Sequence, residues 1–433
     1  MSRQTDSVTS ASGRQLPYAL RALQHRNFCL FFLGQFVSRT GYWMQGMAQG
    51  WLVYRLSQSS FMLGLVSFAG QFPAVILGLF AGVVADRFNR YRVCLSTQVL
   101  FMFQALTLGV LAMSGWVNVW EVFALAFMAG VLQTFEMPAR QTFLQEIVGK
   151  EDLTSAIALN STLVNGARIL GPTLAGAVVA HAGEGMCFTI NGICYLAIIG
   201  SFLAMHLPPQ TATHAPTVST ATFIRQGITY AFHTPAIRLL LLLIGLLSLL
   251  STPYTVLMPV FAKDILHGGA GGMGMLMGAA GAGAVVGSIF LARNRDPNTL
   301  GRTIAFALVR FGVGLLLFSF SRNFWLSFLL LPLVGSGFMV SMSAVNTLLQ
   351  TLTPPHLQGR VMSLFLMMFM GTPPIGSLLA GSLAPHIGTP LTVGFTGVGC
   401  IGAAVWFSLR MHVLLEIDEE REIVSAEQRV MGR

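Results

Sequence analysis

The chain has 433 residues, 54% of them hydrophobic and only 9% charged, with a formal net charge of +9. A soluble domain carries roughly 25% charged residues, so charges this few cannot clothe a water-facing surface. An ordinary soluble enzyme, a disordered chain and a nucleic-acid reader are excluded, and a polytopic helical membrane protein remains.

A membrane helix needs about 20 mostly apolar residues. Twelve segments supply them: 27–54, 61–84, 92–114, 119–146, 154–180, 186–206, 236–258, 271–292, 302–320, 324–350, 360–383 and 391–411. Turn chemistry separates them, as at Ser57-Gln58-Ser59, Ser114-Gly115 and Thr353-Pro354-Pro355. The polar start, Met1 to Tyr18, has no signal-peptide pattern, so the first segment is expected to stay as a helix. Cys29, Cys94, Cys187, Cys194 and Cys400 lack metal-ligand spacing and read as free thiols in or beside apolar segments.

The cations set a topology. With the N-terminus inside, eighteen of the 25 Lys and Arg fall in cytoplasmic regions. Three (Arg55, Lys263 and Arg322) fall on the opposite side, and four lie inside helices. That bias places both ends in the cytoplasm. The expected units are a cytoplasmic tail over 1–26, a six-helix half over 27–206, a central loop over 207–235, a second half over 236–411 and a tail over 412–433. Within the central loop, Phe223 to Pro235 is predicted to form a short amphipathic helix on the membrane surface.

The halves repeat at a shift of 205. Gly64, Gly78, Gly82, Gly130, Gly176, His181, Gly183 and Gly192 meet Gly269, Gly283, Gly287, Gly335, Gly381, His386, Gly388 and Gly397. Two repeats of one orientation mark a transporter, with its site at the interface between halves.

The second segment ends in Gly82-Val83-Val84-Ala85-Asp86-Arg87-Phe88-Asn89-Arg90-Tyr91-Arg92. This resembles the loop 2–3 motif of the major facilitator superfamily, Gly-x-x-x-Asp-Arg-x-Gly-Arg-(Arg/Lys). Gly82, Asp86, Arg87 and Arg90 match; Asn89 stands for the usual Gly, and Tyr91 for a base. Gly82 permits close approach of a neighbouring helix, and Asp86 can face a helix N-terminus. The resemblance implies that Arg90 pairs with Glu146 and that the group latches the halves together at the cytoplasmic side. In the second-half copy Leu291 replaces the acid.

The fifth segment carries Gly171-Pro172-Thr173-Leu174-Ala175-Gly176. It is similar to the helix 5 motif of proton-driven exporters, with Ala175 in place of the first of two closing glycines. Phe36-Val37-Ser38-Arg39-Thr40-Gly41, Pro138-Ala139-Arg140-Gln141 and Gly227-Ile228-Thr229-Tyr230 narrow the resemblance to the enterobactin-exporter and macrolide-efflux branch. It implies an all-α fold of twelve transmembrane helices in two pseudo-symmetric halves, multi-pass in a bacterial inner membrane.

Five ionisable residues fall at mid-helix: Arg39, Glu136, Arg140, Arg168 and Arg310. An Arg or Asp at a helix centre costs roughly 2.5–3.5 kcal/mol on the insertion scale, so these must be partnered or face a wet cavity. Gln35, Ser38, Arg39, Tyr42, Gln45 and Gln49 form a polar stripe on the first helix; Gln133, Glu136 and Arg140 share a face of the fourth. Asn346 belongs to a polar stripe on the tenth. Glu136 is the one acid placed deep in the membrane and the best candidate proton carrier. A permanent pair of Glu136 with Arg140 or Arg39 is the structural alternative.

No phosphate-cradling loop, Gly-x-Ser-x-Gly or His-Glu-x-x-His occurs, so neither a nucleotide-driven pump nor an enzyme is expected. The expected function is proton-coupled export of a small anionic or amphiphilic molecule (a siderophore, drug or related metabolite) by a monomer without cofactor or metal. Uptake by the same fold and a non-transporting sensor are the alternatives.

Overall fold

The structure is a computed structural model that describes residues 18–149, 151–206, 220–293 and 297–411. The side chains of residues 18, 19, 79, 83, 85–87, 220–226, 297 and 298 fall outside that description, and with them the readings made above for Asp86 and Arg87. The tail readings over 1–17, 207–219 and 412–433 also lie outside it.

Six helices form the first half: α1 (Arg26–Ser57), α2 (Ser60–Arg87), α3 (Arg90–Ser114), α4 (Val119–Val148), α5 (Leu153–Ala182) and α6 (Glu184–Ala204). After the connecting α7 (Thr220–His233) come α8 (Pro235–Val256), α9 (Gly269–Arg293), α10 (Pro297–Phe320), α11 (Phe324–Leu352), α12 (Pro355–Gly371), α13 (Pro373–Ile387) and α14 (Thr389–Leu409). Each of the twelve predicted segments is found within a few residues of its expected bounds. Eleven are long and apolar enough to cross a membrane by composition. The exception, α1, carries the polar stripe.

Two segments depart from a single rod. The eleventh divides at Thr372, where Pro373 and Pro374 bring no amide hydrogen to the helix. The Thr372 hydroxyl fills the break by bonding to the carbonyls of Gly245 (2.9 Å) and Met368 (3.1 Å). The seventh runs past Val256 through a turn, Met258–Val260, into a π-helical turn, Phe261–Ile265.

The sequence repeat recurs in local structure. Gly183 and Gly388, at φ 80° and 88°, end α5 and α13 and start the next helix, a conformation that costs a residue with a Cβ. Asn118 and Asn323 cap α4 and α11, and each side chain accepts from the backbone amides of the second and third residues beyond it. Packing repeats as well: α2 lies along α4 as α9 lies along α11.

We call the end where the described chain starts and stops the terminal end, and the other the distal end. In the first half, Phe31, Tyr91, Phe143 and Phe202 form an aromatic cluster toward the terminal end, with Phe143 and Phe202 centroids 5.4 Å apart. The predicted amphipathic helix is α7, three residues earlier at its start. It packs on α12 and α8, with Arg360 against Gly227.

The halves meet along two seams, α5 with α9 and α2 with α13. Small residues let the backbones touch. A Cβ on Gly176 would lie 2.9 Å from Gly274 Cα, and one on Gly381 would lie 3.0 Å from Gly64 Cα. Gly176 and Gly381 are partners in the 205-residue repeat, so the two seams are copies of one contact. Ser67 and Ser377 hydroxyls, 3.0 Å apart, join the second. All these contacts lie in the distal halves of their helices. Toward the terminal end, Gly78 and Gly82 have no atom within 4 Å of where a Cβ would sit. The side of Gly82 where a Cβ would sit is therefore open in this arrangement.

Candidate functional site

At mid-bundle, α1 and α4 place Arg39 and Glu136 face to face. Arg39 Nη2 donates to Glu136 Oε1 at 2.9 Å and to Oε2 at 3.1 Å. One turn on from Glu136, Arg140 Nε stands 2.9 Å from the same Oε1. Both expected pairings exist together, and the acid is clamped between two guanidiniums with no exposed surface. Gln35 accepts from Arg39 Nε at 3.2 Å, which fixes that side chain from one turn below. From α3, Gln98 Nε2 reaches Glu136 Oε1 at 3.4 Å. The cluster thus ties three helices of one half and has a formal charge of +1.

Gln98 was not among the candidates, although a buried amide in mid-α3 is the kind of polar residue that signals a partner. Gln133 is partly buried on the face of α4 that carries Glu136. Asn346, on α11, accepts from Gln350 Nε2 at 3.0 Å and stays on the second half's side.

Gln45 departs from the expected cavity wall. Its amide donates to Gln104 Oε1 (3.0 Å) and its oxygen accepts from Asn191 Nδ2 (2.6 Å), while Gln104 bonds to the Leu125 carbonyl at 3.3 Å. This is a buried clasp of α1, α3 and α6, with all three side chains under one-tenth exposed. Such bonds average about 0.6 kcal/mol in membrane bundles and reach about 1.7. Gln104→Leu is therefore expected to lower stability by about that much, read as unfolding in detergent, and to leave transport selectivity unchanged.

Arg168 does not join the Glu136 cluster. Its guanidinium lies 5.0 Å from the centroid of the Trp43 ring, beside the α5–α9 seam. Gly171 seats α5 against the α1 backbone at Thr40 and Met44 and against the Trp43 Cβ, while Pro172 and Gly176 face α9 at Gly274. The helix 5 motif thus serves two contacts, one within the half and one across the seam. Arg310 lies on α10, whose main neighbours are α11 and α14. It belongs to neither the cluster nor the seams.

Arg90 pairs with Glu146, as the motif implied. The pair links α3 to α4 inside one half, so it does not itself bridge the halves. A bridge exists at the distal end instead. The Tyr54 hydroxyl donates to Asp264, and Lys263 Nζ donates to Gln58 Oε1 at 3.0 Å. Lys263 also stands 5.4 Å from the Tyr54 ring centroid. Gln58 and Lys263 are 205 residues apart, so equivalent turns of the two repeats clasp one another. The repeat was the signal for this contact, because it placed the two positions at the same end of equivalent helices.

A twelve-helix bundle in two six-helix halves, sealed along two seams at one end and holding buried charges at its middle, is a transporter fold of the major facilitator type. Solved structures agree in fold. They include a bacterial homolog of the human lysosomal transporter Spinster in an inward-facing, unoccupied conformation (TM-score 0.70, 14% identity, 93% of this chain and 98% of that one). A POT family transporter in complex with a thioalcohol-conjugated peptide gives a TM-score of 0.72 at 13% identity, covering 90% and 96%.

The chain belongs to the transmembrane secretion effector family, which it matches over residues 18–430. It is 23% identical to the Staphyloferrin A transporter of Staphylococcus aureus, over 91% of this chain and 99% of that protein. It is 26% identical to the multidrug efflux pump Tap of Mycolicibacterium fortuitum, over 79% and 85%. The enterobactin exporter EntS of Citrobacter koseri is also 26% identical, over 87% and 90%.

Proposed function

We propose that this protein exports a small anionic or amphiphilic molecule across a bacterial inner membrane by proton-coupled alternating access. The observation that carries the reading is the buried Arg39–Glu136–Arg140 cluster in a bundle whose seams close at the distal end. With the terminal end in the cytoplasm, as the Lys and Arg distribution favours, this arrangement is open inward and ready to load cargo. The relatives named as exporters and efflux pumps support the outward direction. Glu136 is the proton carrier in this scheme. Its two arginines neutralise it in the inward-open state, and it takes a proton when a rearrangement of α1 against α4 withdraws one of them. No cofactor is needed, and a monomer suffices because both halves lie in one chain.

The test is flux direction. In inverted vesicles energised to an acid interior, labelled cargo should accumulate and a protonophore should abolish the accumulation. Accumulation in right-side-out vesicles instead would establish uptake, and binding without flux in either would establish a sensor.

A further inference from the structure

We propose that Arg168, Trp43 and Tyr42 form a subsite for a planar aromatic carboxylate. The proposal rests on the reading that the centre of the bundle holds the cargo.

The starting point is a cation without a counter-charge. Among the described residues no acid lies within ion-pair distance of Arg168, and its buried Nε makes no hydrogen bond. The guanidinium instead faces aromatic rings. It stands 5.0 Å from the Trp43 centroid. Trp43 meets Tyr42 edge-on at 6.1 Å, and Arg39 lies 5.7 Å from the Tyr42 centroid. Cation, ring, ring and cation therefore run in sequence from the Glu136 cluster to the seam.

This array has a definite chemical preference. A guanidinium presents a planar fork of donors that matches a carboxylate in two parallel bonds. Indole and phenol faces accept a flat ring by offset or edge contact. Arg39, Arg140 and Arg168 against the single Glu136 leave a net positive site, which repels an organic cation as it attracts an anion. A bound aromatic acid would supply the counter-charge that Arg168 lacks. The plainer reading is a cation–π staple holding α5 on α1, and it predicts no ligand preference.

The test is equilibrium dialysis on the purified full-length protein in detergent. The probes are radiolabelled salicylate, cyclohexanecarboxylate and tetraphenylphosphonium. Saturable salicylate binding is expected, with the cation at least tenfold weaker. Arg168→Gln should weaken salicylate at least tenfold, while Arg168→Lys, which keeps charge but not the fork, should weaken it less. Trp43→Leu should reduce salicylate binding and leave cyclohexanecarboxylate unchanged.

No saturable salicylate binding by the wild type, undiminished binding by Arg168→Gln, or a preference for tetraphenylphosphonium would each overturn the subsite. Binding at equilibrium needs no gradient, so the outcome is independent of flux direction and proton coupling. Those can fail in vesicles while this subsite stands, and the reverse.

Discussion

Glu136→Gln is expected to abolish gradient-driven efflux, and the loss should have two separable parts. The first is structural. Removing the acid leaves Arg39 and Arg140, only 12% and 13% exposed, facing each other with no counter-charge. Breaking a buried pair from one side costs about 3–5 kcal/mol, so a lower unfolding temperature in detergent is expected. The second part is the coupling role. Removing Arg140 together with the acid separates the two, because Glu136→Gln with Arg140→Gln keeps the cluster at +1 and gives Arg39 a neutral acceptor. Most of the stability should return in the double variant, and cargo should still exchange down its gradient in counterflow. Efflux against a gradient should stay absent and its pH dependence flat. Recovery of uphill, pH-dependent efflux by the double variant would show that Glu136 only holds α1 to α4.

Much of this was legible in the sequence, and the limits have physical causes. Helix positions followed from long apolar runs, whose hydrophobic requirement leaves little choice. The 205-residue shift paired Gly176 with Gly381, and both stand at seams because the same small residues are needed wherever two backbones touch. Arg39, Glu136 and Arg140 stood out because a charge is costly in a membrane wherever it lies. Gln45 was misplaced for a geometric reason. At about 100° per residue, the stripe from Gln35 to Gln49 spans about 120° of α1, with Arg39 at one edge and Gln45 at the other. One edge faces α4 and the other faces α3 and α6, a difference that a one-dimensional stripe conceals. The helix that would complete the acid's coordination was equally hidden, since Gln98 has no spacing relation to Glu136. The distal clasp of Tyr54 with Asp264 depends on a π-helical turn that aims a side chain, and apolar periodicity carries no record of such a turn.

Gly176→Leu and Gly381→Leu are expected to drive the protein out of the distal-closed state, and Gly82→Leu to act in the opposite sense. At the first two positions the obstacle is backbone. A Cβ on Gly176 would lie 2.9 Å from Gly274 Cα and 3.0 Å from the Ala270 carbonyl oxygen, and one on Gly381 would lie 3.0 Å from the Ser60 oxygen. Backbone cannot swing aside as a side chain can, so an isobutyl group there forces the helices apart. Packed interfaces switch between discrete arrangements more readily than they deform. Strain confined to one state shifts the population by its differential cost, and about 5.5 kcal/mol carries an equilibrium from 1:99 to 99:1. Gly82 is open in this state. If the terminal end closes in the alternate state, as the loop 2–3 resemblance implies, a leucine there penalises that state alone. Trp116 and Trp325, exposed at the distal ends of the two halves, supply sites for paired spin labels after substitution by Cys in a background without native Cys. The seam variants should lengthen the label distance, and Gly82→Leu should narrow its distribution around the short value. All three should lose turnover by more than tenfold, because a cycle needs both states. Seam variants with the wild-type distance distribution would mean that these glycines serve packing alone and that the moving contact lies elsewhere.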